Sequence, residues 1–425
     1  MKRLLLSTMI LASVHAYATM DLTDGKTEKE FELYGATTNS QMEFNNAYKY
    51  SHFATYSGKY VVFQSSNKHN YDDEGTWGHY VKNTLDNSVS RIPAPEGMDE
   101  TKFNRMKIRS MTSNGRFLVL DGDGYKGKLM YLYDLKTGKA EVINRDINGN
   151  LPDSVIVSYK IAVSEDGKYV YYGYNGPALE TSTSSYDYLY LWDVTNNTRT
   201  KINYDIDGNL TNFKLSYGPT QRIISGDGRY LIYKAIADVI PGMENNHRYY
   251  QIYVYDRITK KSKLISIDPK TGKTIDASFP SISIDGKYAV FSTVTNRVLK
   301  VDLSHDTNVQ DIDMQYDGKK LTTCNYPTVS ENGTSIAFRC QKQAYYYDAV
   351  EQTMHQASIS QVDGKVSKDR VIDPTVLDNG SGMYWRSQNG HLLEGEPTAY
   401  PDSQIYLYRQ KPGTMESHIC YSDDY

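Results

Sequence analysis

Cysteine is scarce. The chain has three in 425 residues and no Cys-x-x-Cys pair, which excludes a thiol redox motif. Other compact signatures are missing as well: there is no Gly-x-Ser-x-Gly elbow, no His-Glu-x-x-His helix and no Gly-x-x-x-x-Gly-Lys-Ser/Thr phosphate loop. Their absence excludes the enzymes recognised by a short motif, but not those whose working residues are scattered over a repeat fold. Basic runs are lacking too, and the formal charge is -4. Electrostatic capture of nucleic acid or of an anionic membrane is therefore not expected. The only sustained apolar run, Leu4 to Val14, is too short to span a bilayer.

That run follows Lys2 and Arg3 and precedes Ala16-Tyr17-Ala18, the pattern of a cleaved leader over residues 1–18. Removing Lys2 and Arg3 with it leaves 45 basic residues against 51 acidic, a formal charge of -6. No cysteine follows the cleavage position to take a lipid. The expected product, residues 19–425, is one soluble exported domain, periplasmic or extracellular, with no membrane insertion.

What the chain has in abundance is tyrosine, 39 residues, beside 30 glycines. Few stretches are rich in Ala, Leu, Glu or Lys, so strands should dominate and helices be scarce. From Gln251 to Ser292 the sequence reads as an outer hairpin, a connector and an inner hairpin, and variants of that unit recur throughout. Seven turns end at Gly58, Gly115, Gly167, Gly228, Gly286, Gly333 and Gly380, and a short, largely apolar or aromatic run follows each. Asp-Gly and Asn-Gly accept the positive φ of a tight hairpin. A second hairpin follows, and in its clearest copies Asp134, Asp193 and Asp256 each precede a closing isoleucine by nine residues. Four antiparallel strands repeated seven times at intervals of 47 to 61 residues fit an all-β, seven-bladed β-propeller.

Ile252-Tyr253-Val254-Tyr255-Asp256-Arg257 and Pro280 to Tyr288 carry a resemblance to the TolB-like or WD-related propeller repeats of bacterial exported proteins. The resemblance implies the fold and leaves the function open, since propellers host scaffolds, lectins, lyases and hydrolases. Glu28 to Tyr34 stands before the first inner hairpin as outer strands stand before later ones: Leu33 to Gly58 is 25 residues, and so is Val142 to Gly167. This N-terminal strand is expected to close the ring by joining the last blade, with the tail from Thr414 to Tyr421 as its competitor.

Cys324 and Cys340 are placed symmetrically about Asn332 and should face each other across a hairpin as a disulfide, leaving Cys420 odd. The long segments inside and between blades should gather on one face of the disc, where partners usually bind. The candidate binding residues there are His69, Asp72, Asp73, Trp77 and His79 in one segment, with His247 and Arg248 in another. His391, Glu394 and Glu396 invite a similar reading. No metal-ligand spacing appears among them, so neither a metal nor another cofactor is expected. Asp121 to Gly124, Asp146 to Asn150 and Asp205 to Asn209 lack an EF-hand's later acidic ligand and are read as turns.

Alternating tyrosines on the third strands (Tyr131 and Tyr133, Tyr253 and Tyr255, Tyr345 and Tyr347, Tyr406 and Tyr408) should pack between blades. The recurrent aspartates that end those strands should cap turns. On these grounds the expected function is non-catalytic: an exported propeller offering its long-loop face to a protein or glycan. The alternatives are a propeller enzyme, a polysaccharide lyase or hydrolase acting on an extracellular polymer, and a structural component of an envelope or secretion assembly.

Overall fold

Seven four-stranded antiparallel sheets follow one another along the chain. The computed structural model describes residues 31–35, 53–65, 78–122, 129–145, 151, 157–175, 187–202, 207–208, 214–215, 222–236, 250–304, 308–312, 314–368, 370–387, 392–393 and 404–410. Blade one comprises Phe53–Ala54, Tyr60–Ser65, Gly78–Asn83 and Val89–Arg91. Blade two has Lys107–Met111, Phe117–Asp121, Met130–Asp134 and Lys139–Val142; blade three has Val157–Val163, Tyr169–Asn175, Asp187–Asp193 and Thr198–Lys201. Lys214–Leu215, Tyr230–Ile236, Gln251–Asp256 and Lys261–Leu264 make blade four, and Ala277–Ile282, Tyr288–Thr293, Val298–Asp302 and Asn308–Asp311 make blade five. Blade six is Cys324–Val329, Ser335–Cys340, Gln343–Asp348 and Thr353–Gln356.

Blade seven draws three strands from the end of the chain, Ile372–Val376, Gly382–Ser387 and Gln404–Gln410, and its outer strand from the beginning. That strand is Phe31–Gly35, which pairs antiparallel with the last one from Phe31 opposite Gln410 to Gly35 opposite Tyr406. The N-terminal closure expected from the spacing is therefore the one formed. Phe31 stacks on Tyr408 with ring centroids 4.8 Å apart, and Leu33 is buried.

Among the described residues the buried apolar side chains form seven clusters rather than one central core, and each is shared by two neighbouring sheets. Strand alternation divides each third strand between its two neighbours. Tyr253 and Tyr255 pack with blade three, while Ile252 and Val254 pack with blade five. The closing seam is built the same way, with Leu377, Tyr384, Ile405 and Leu407 of blade seven against Ala54, Val61, Phe63 and Tyr80 of blade one. The third-strand tyrosines thus pack between blades, as their spacing predicts.

The turns between first and second strands repeat a polar frame. In blades two to six a Ser or Thr three residues before the glycine bonds the Asp or Asn between them, as Ser164 Oγ does to Asp166 Oδ1 at 2.7 Å and Ser225 Oγ to Asp227 Oδ1 at 2.6 Å. The same hydroxyl accepts the backbone N–H five residues on, from Tyr169 and Tyr230 respectively. The third-strand aspartates cap the next turn: Asp134 Oδ1 accepts Lys136 N–H and Asp256 Oδ1 accepts Ile258 N–H. Arg116 and Arg229, each following a turn glycine, grip these two carboxylates in a bidentate fork.

The turn glycine has two reasons to be glycine. At Gly167 φ is +72°, and a Cβ there would lie 2.4 Å from the Phe117 ring of the preceding blade. The turn backbone is therefore the flat seat on which the neighbouring blade's aromatic ring rests. Gly167→Ala should lower stability by about 2–4 kcal/mol, from left-handed backbone strain and overpacking together. A urea midpoint equal to that of the unaltered protein would contradict this seating.

Candidate functional site

The residue two places before each turn glycine, after a Ser or Thr in blades one to six and after Leu377 in blade seven, stands near the axis of the ring. These residues are Tyr56, Ser113, Glu165, Gly226, Ile284, Glu331 and Asp378. Backbone bonds link them from blade to blade: Asp378 N–H to Tyr56 O, Glu331 N–H to Asp378 O, Gly226 N–H to Ile284 O and Glu165 N–H to Gly226 O. Side chains bridge two further steps, Ser57 Oγ donating to Ser113 O at 2.9 Å and Asn114 Nδ2 to Glu165 O at 3.0 Å.

Across this ring lies Arg222, on the segment that leads into the turn of blade four. Its guanidinium forms a fork with Asp378 and donates to Ser113 Oγ at 3.1 Å. It also sits 3.9 Å from Glu165 Oε1 and stacks over Tyr56, 4.0 Å from the ring centroid. Blades one, two, three, four and seven meet at one side chain, which only the axis of the ring permits. Burial by itself would lower the Arg222 pKa, but Asp378 and Glu165 raise it above its ordinary value, so the guanidinium stays charged. Burial pushes Glu165 the other way, above the usual carboxylate range, with Arg222 opposing.

Further along the first strands, away from these turns, blades five, six and seven share an irregularity. The register of each first strand slips against its partner, and the residue before a proline takes a left-handed backbone: Phe279 at φ 56°, Tyr326 at 58° and Asp373 at 50°. Such conformations cost about 1–3 kcal/mol each and concentrate where function holds the backbone in place. Here they turn three successive side chains into one wall. The Phe279 and Tyr326 rings lie 4.2 Å apart at 36°, and the Arg339 guanidinium covers Tyr326 at 4.3 Å. Arg386 pairs with Asp373.

Arg339 is buried, and its Nη1 donates to the Val371 carbonyl at 3.0 Å while its Nε has no hydrogen-bond partner. Burial lowers its pKa, and Arg370 nearby acts in the same direction. The carboxylate near Arg339, that of Asp373, is already held by Arg386. The Cys324–Cys340 disulfide is formed, and the rung beside it pairs Asn325 with Arg339, so the bridge clamps the two strands that carry Tyr326 and Arg339.

The wall was not among the residues singled out from the sequence, although a signal for it exists. Phe279-Pro280-Ser281, Tyr326-Pro327-Thr328 and Asp373-Pro374-Thr375 recur at intervals of 47 residues. Of the expected binding residues, His69, Asp72, Asp73, Trp77, His247 and Arg248 lie outside the described residues, as do His391, Glu394 and Glu396. His79 is described and fully buried. It meets the Phe103 ring edge-on beneath the short helix Glu100–Asn104, with Nε2 3.2 Å from the Phe103 carbonyl. Burial holds its pKa down at about 4, so it is a neutral core residue and not part of a surface loop. Asp121, expected in a turn, is buried at the end of a second strand and paired with Arg109. Among the described residues no group of three or more His, Cys, Asp or Glu is placed to hold a metal ion. No helix there is long and apolar enough to cross a membrane.

Removing the axial cation alone strands two carboxylates in the interior. Arg222→Met should cost about 3–5 kcal/mol. Adding Asp378→Asn should restore part of that loss in thermal or urea unfolding. A single Arg222→Met variant as stable as the unaltered chain would show that the network does not hold the blades together.

No family model matches the sequence, and no curated protein matches it. Among solved structures, the chain is similar to TolB from Acinetobacter baumannii, at 15% identity and a TM-score of 0.39, over 70% of this chain and 63% of that one. It is also similar to an oligogalacturonate lyase from Vibrio parahaemolyticus, at 11% identity and a TM-score of 0.49, over 91% and 95% of the two chains. A further oligogalacturonate lyase, in complex with manganese, gives 11% identity, a TM-score of 0.48 and coverage of 90% and 96%. The expectation of a non-catalytic binding protein is corrected: two of the solved structures to which the chain is similar are of an enzyme, oligogalacturonate lyase. The architecture is that of a β-propeller, a ring of seven four-stranded antiparallel blades.

Proposed function

We propose that the chain is an exported propeller enzyme acting on an acidic polysaccharide at the wall of blades five to seven. The observation that carries this reading is the buried Arg339 guanidinium stacked on Tyr326 beside Phe279, a cationic group on an aromatic platform. A sugar ring lies well against aromatic faces, and a guanidinium fork matches a carboxylate in geometry and charge. Together they fit a uronate residue.

Elimination suits this set better than hydrolysis. Glycoside hydrolysis ordinarily calls on two carboxyl groups facing each other across the scissile bond. The described wall offers Asp373 alone, and Arg386 engages it. In an elimination Arg339 would neutralise the substrate carboxylate, which acidifies the adjacent C–H. Tyr326, whose side chain hydrogen-bonds Arg339, is the group placed to accept that proton as its phenolate and to pass it to the glycosidic oxygen as the C–O bond on the next ring carbon breaks, leaving a C=C bond in the uronate. Export is supported by the leader pattern and by a disulfide, which persists in oxidising compartments.

The test is turnover of a panel of uronate-containing polysaccharides and oligosaccharides, followed by the ultraviolet absorbance of unsaturated ends and, separately, by reducing ends. Absorbing products are expected. Arg339→Ala should lower kcat/KM by about 10²–10³-fold, and Tyr326→Phe should lower kcat more than it changes KM. Reducing ends without unsaturation would replace elimination with hydrolysis. Undiminished turnover by Arg339→Ala would remove the wall from the mechanism.

A further inference from the structure

A second polar constellation lies on the seam between blades four and five. Lys234, on the second strand of blade four, donates from Nζ to Ser278 Oγ on the first strand of blade five at 2.7 Å. The ammonium stacks over the Tyr250 ring, 4.1 Å from its centroid, and the Tyr250 N–H donates to Asp276 Oδ1 at 3.2 Å. Lys234, Tyr250, Asp276 and Ser278 are all half-buried, so the group is open to solvent. Among the described residues no carboxylate stands within salt-bridge distance of Lys234. Its neighbours are a hydroxyl and an aromatic face.

Between blades five and six Lys300 also lies over an aromatic ring, that of Tyr288, but it donates to the Gly333 carbonyl and not to a hydroxyl. Blades four and five close on each other through buried apolar residues such as Ile232, Ile252, Ala277 and Phe291, and exposed cations such as Arg229 are matched by a carboxylate fork. A lysine facing a serine, without such a fork, is the arrangement by which an amine activates a hydroxyl nucleophile. The residue after the serine, Phe279, holds the left-handed backbone already noted, so the strand is bent where Ser278 is presented. Burial lowers the Lys234 pKa, with Asp276 opposing, and a desolvated lysine is the kind that serves as a base.

We propose that Ser278 and Lys234 form a serine–lysine acyl-transfer pair that hydrolyses carboxylic esters, with O-acyl groups on a glycan as the substrate class. In the first half-reaction the Lys234 amine takes the Ser278 hydroxyl proton and Oγ bonds to the ester carbonyl carbon. The bond from that carbon to the alcohol oxygen breaks, and the Lys234 ammonium returns the proton to the departing alcohol. In the second half-reaction Lys234 takes a proton from water, the resulting oxygen attacks the acyl-serine, and the carboxylic acid leaves as Ser278 recovers its proton. No oxidant, metal or further reactant is needed.

A fluorophosphonate reporter tests the pair on the full chain, with the adduct located by peptide mass. The unaltered protein should carry the adduct on Ser278, and Ser278→Ala should lose it. The decisive variant is Lys234→Arg, which keeps a cation over Tyr250 and a donor to Ser278 but cannot give up its proton near neutrality. If the contact merely holds the seam, labelling is unchanged. If Lys234 is the base, the labelling rate and the hydrolysis of p-nitrophenyl acetate fall together by about 10²–10⁴-fold, while thermal unfolding stays that of the unaltered chain. Should Lys234→Arg fail to fold, the pH profile of the unaltered chain decides: labelling should rise with pH as the amine loses its proton, and a flat profile overturns the pair. Absence of an adduct on Ser278, or a Lys234→Arg rate equal to the original, overturns it too. Polymer turnover is read separately, so failure of either activity leaves the other standing.

Discussion

Everything in this molecule rests on how one blade sits against the next. At Gly115, Gly167, Gly228, Gly286 and Gly333 the contact is a turn backbone without a side chain, held at positive φ and braced by a Ser or Thr hydroxyl, on which an aromatic ring of the preceding blade rests. At Gly58 the neighbour is Leu377 and at Gly380 it is Ser335, so the aromatic seat recurs at five of the seven turns. The apolar clusters then fill wedge-shaped gaps of similar form. Radial repetition also leaves few strand edges exposed, since every first strand looks inward and the closing strand from the N-terminus covers the edge that blade seven would otherwise present.

A ring of wedges leaves its axis as the place where geometry repeats and chemistry need not. Near the first turns the axial positions carry Tyr, Ser, Glu, Gly, Ile, Glu and Asp, and Arg222 ties five blades together through them. At the far end of the first strands, among the described residues, blades five, six and seven take a left-handed bulge before a proline. Those three bulges give the ring one distinctive wall. A buried guanidinium without a carboxylate of its own in bonding distance among the described residues is costly to keep in the interior. The disulfide one rung away holds its strand and that of Tyr326 in register, which places rigidity where binding would need it.

Most of the ring was legible from the chain because its signals are local and repeated. Asp-Gly and Asn-Gly turns, alternating tyrosines and the Asp-to-Ile spacing each report a short-range rule, and seven copies reinforce one another. Closure by Phe31–Gly35 was legible from arithmetic, and the Cys324–Cys340 bond from symmetry about a turn. The wall was harder to see. Phe279, Tyr326 and Asp373 differ in type, and what unites them is a backbone conformation that pattern reading does not reveal, although the proline after each marks the place. Arg222 was invisible for another reason: its partners lie 57 to 166 residues away in the chain, at Glu165, Ser113, Tyr56 and Asp378. His79 misled because it stands beside a polar loop sequence yet begins the strand that slides under Phe103.

The central claim is that the working surface is the wall of blades five to seven rather than the disc's periphery. Hydrogen exchange with and without an acidic oligosaccharide tests it most directly, since exchange reports where backbone opening is suppressed. Protection confined to Ala277–Ile282, Cys324–Val329 and Ile372–Val376, with the matching second strands, is the predicted footprint. Protection that falls instead on blades one to three, or only on the outer turns, would contradict it.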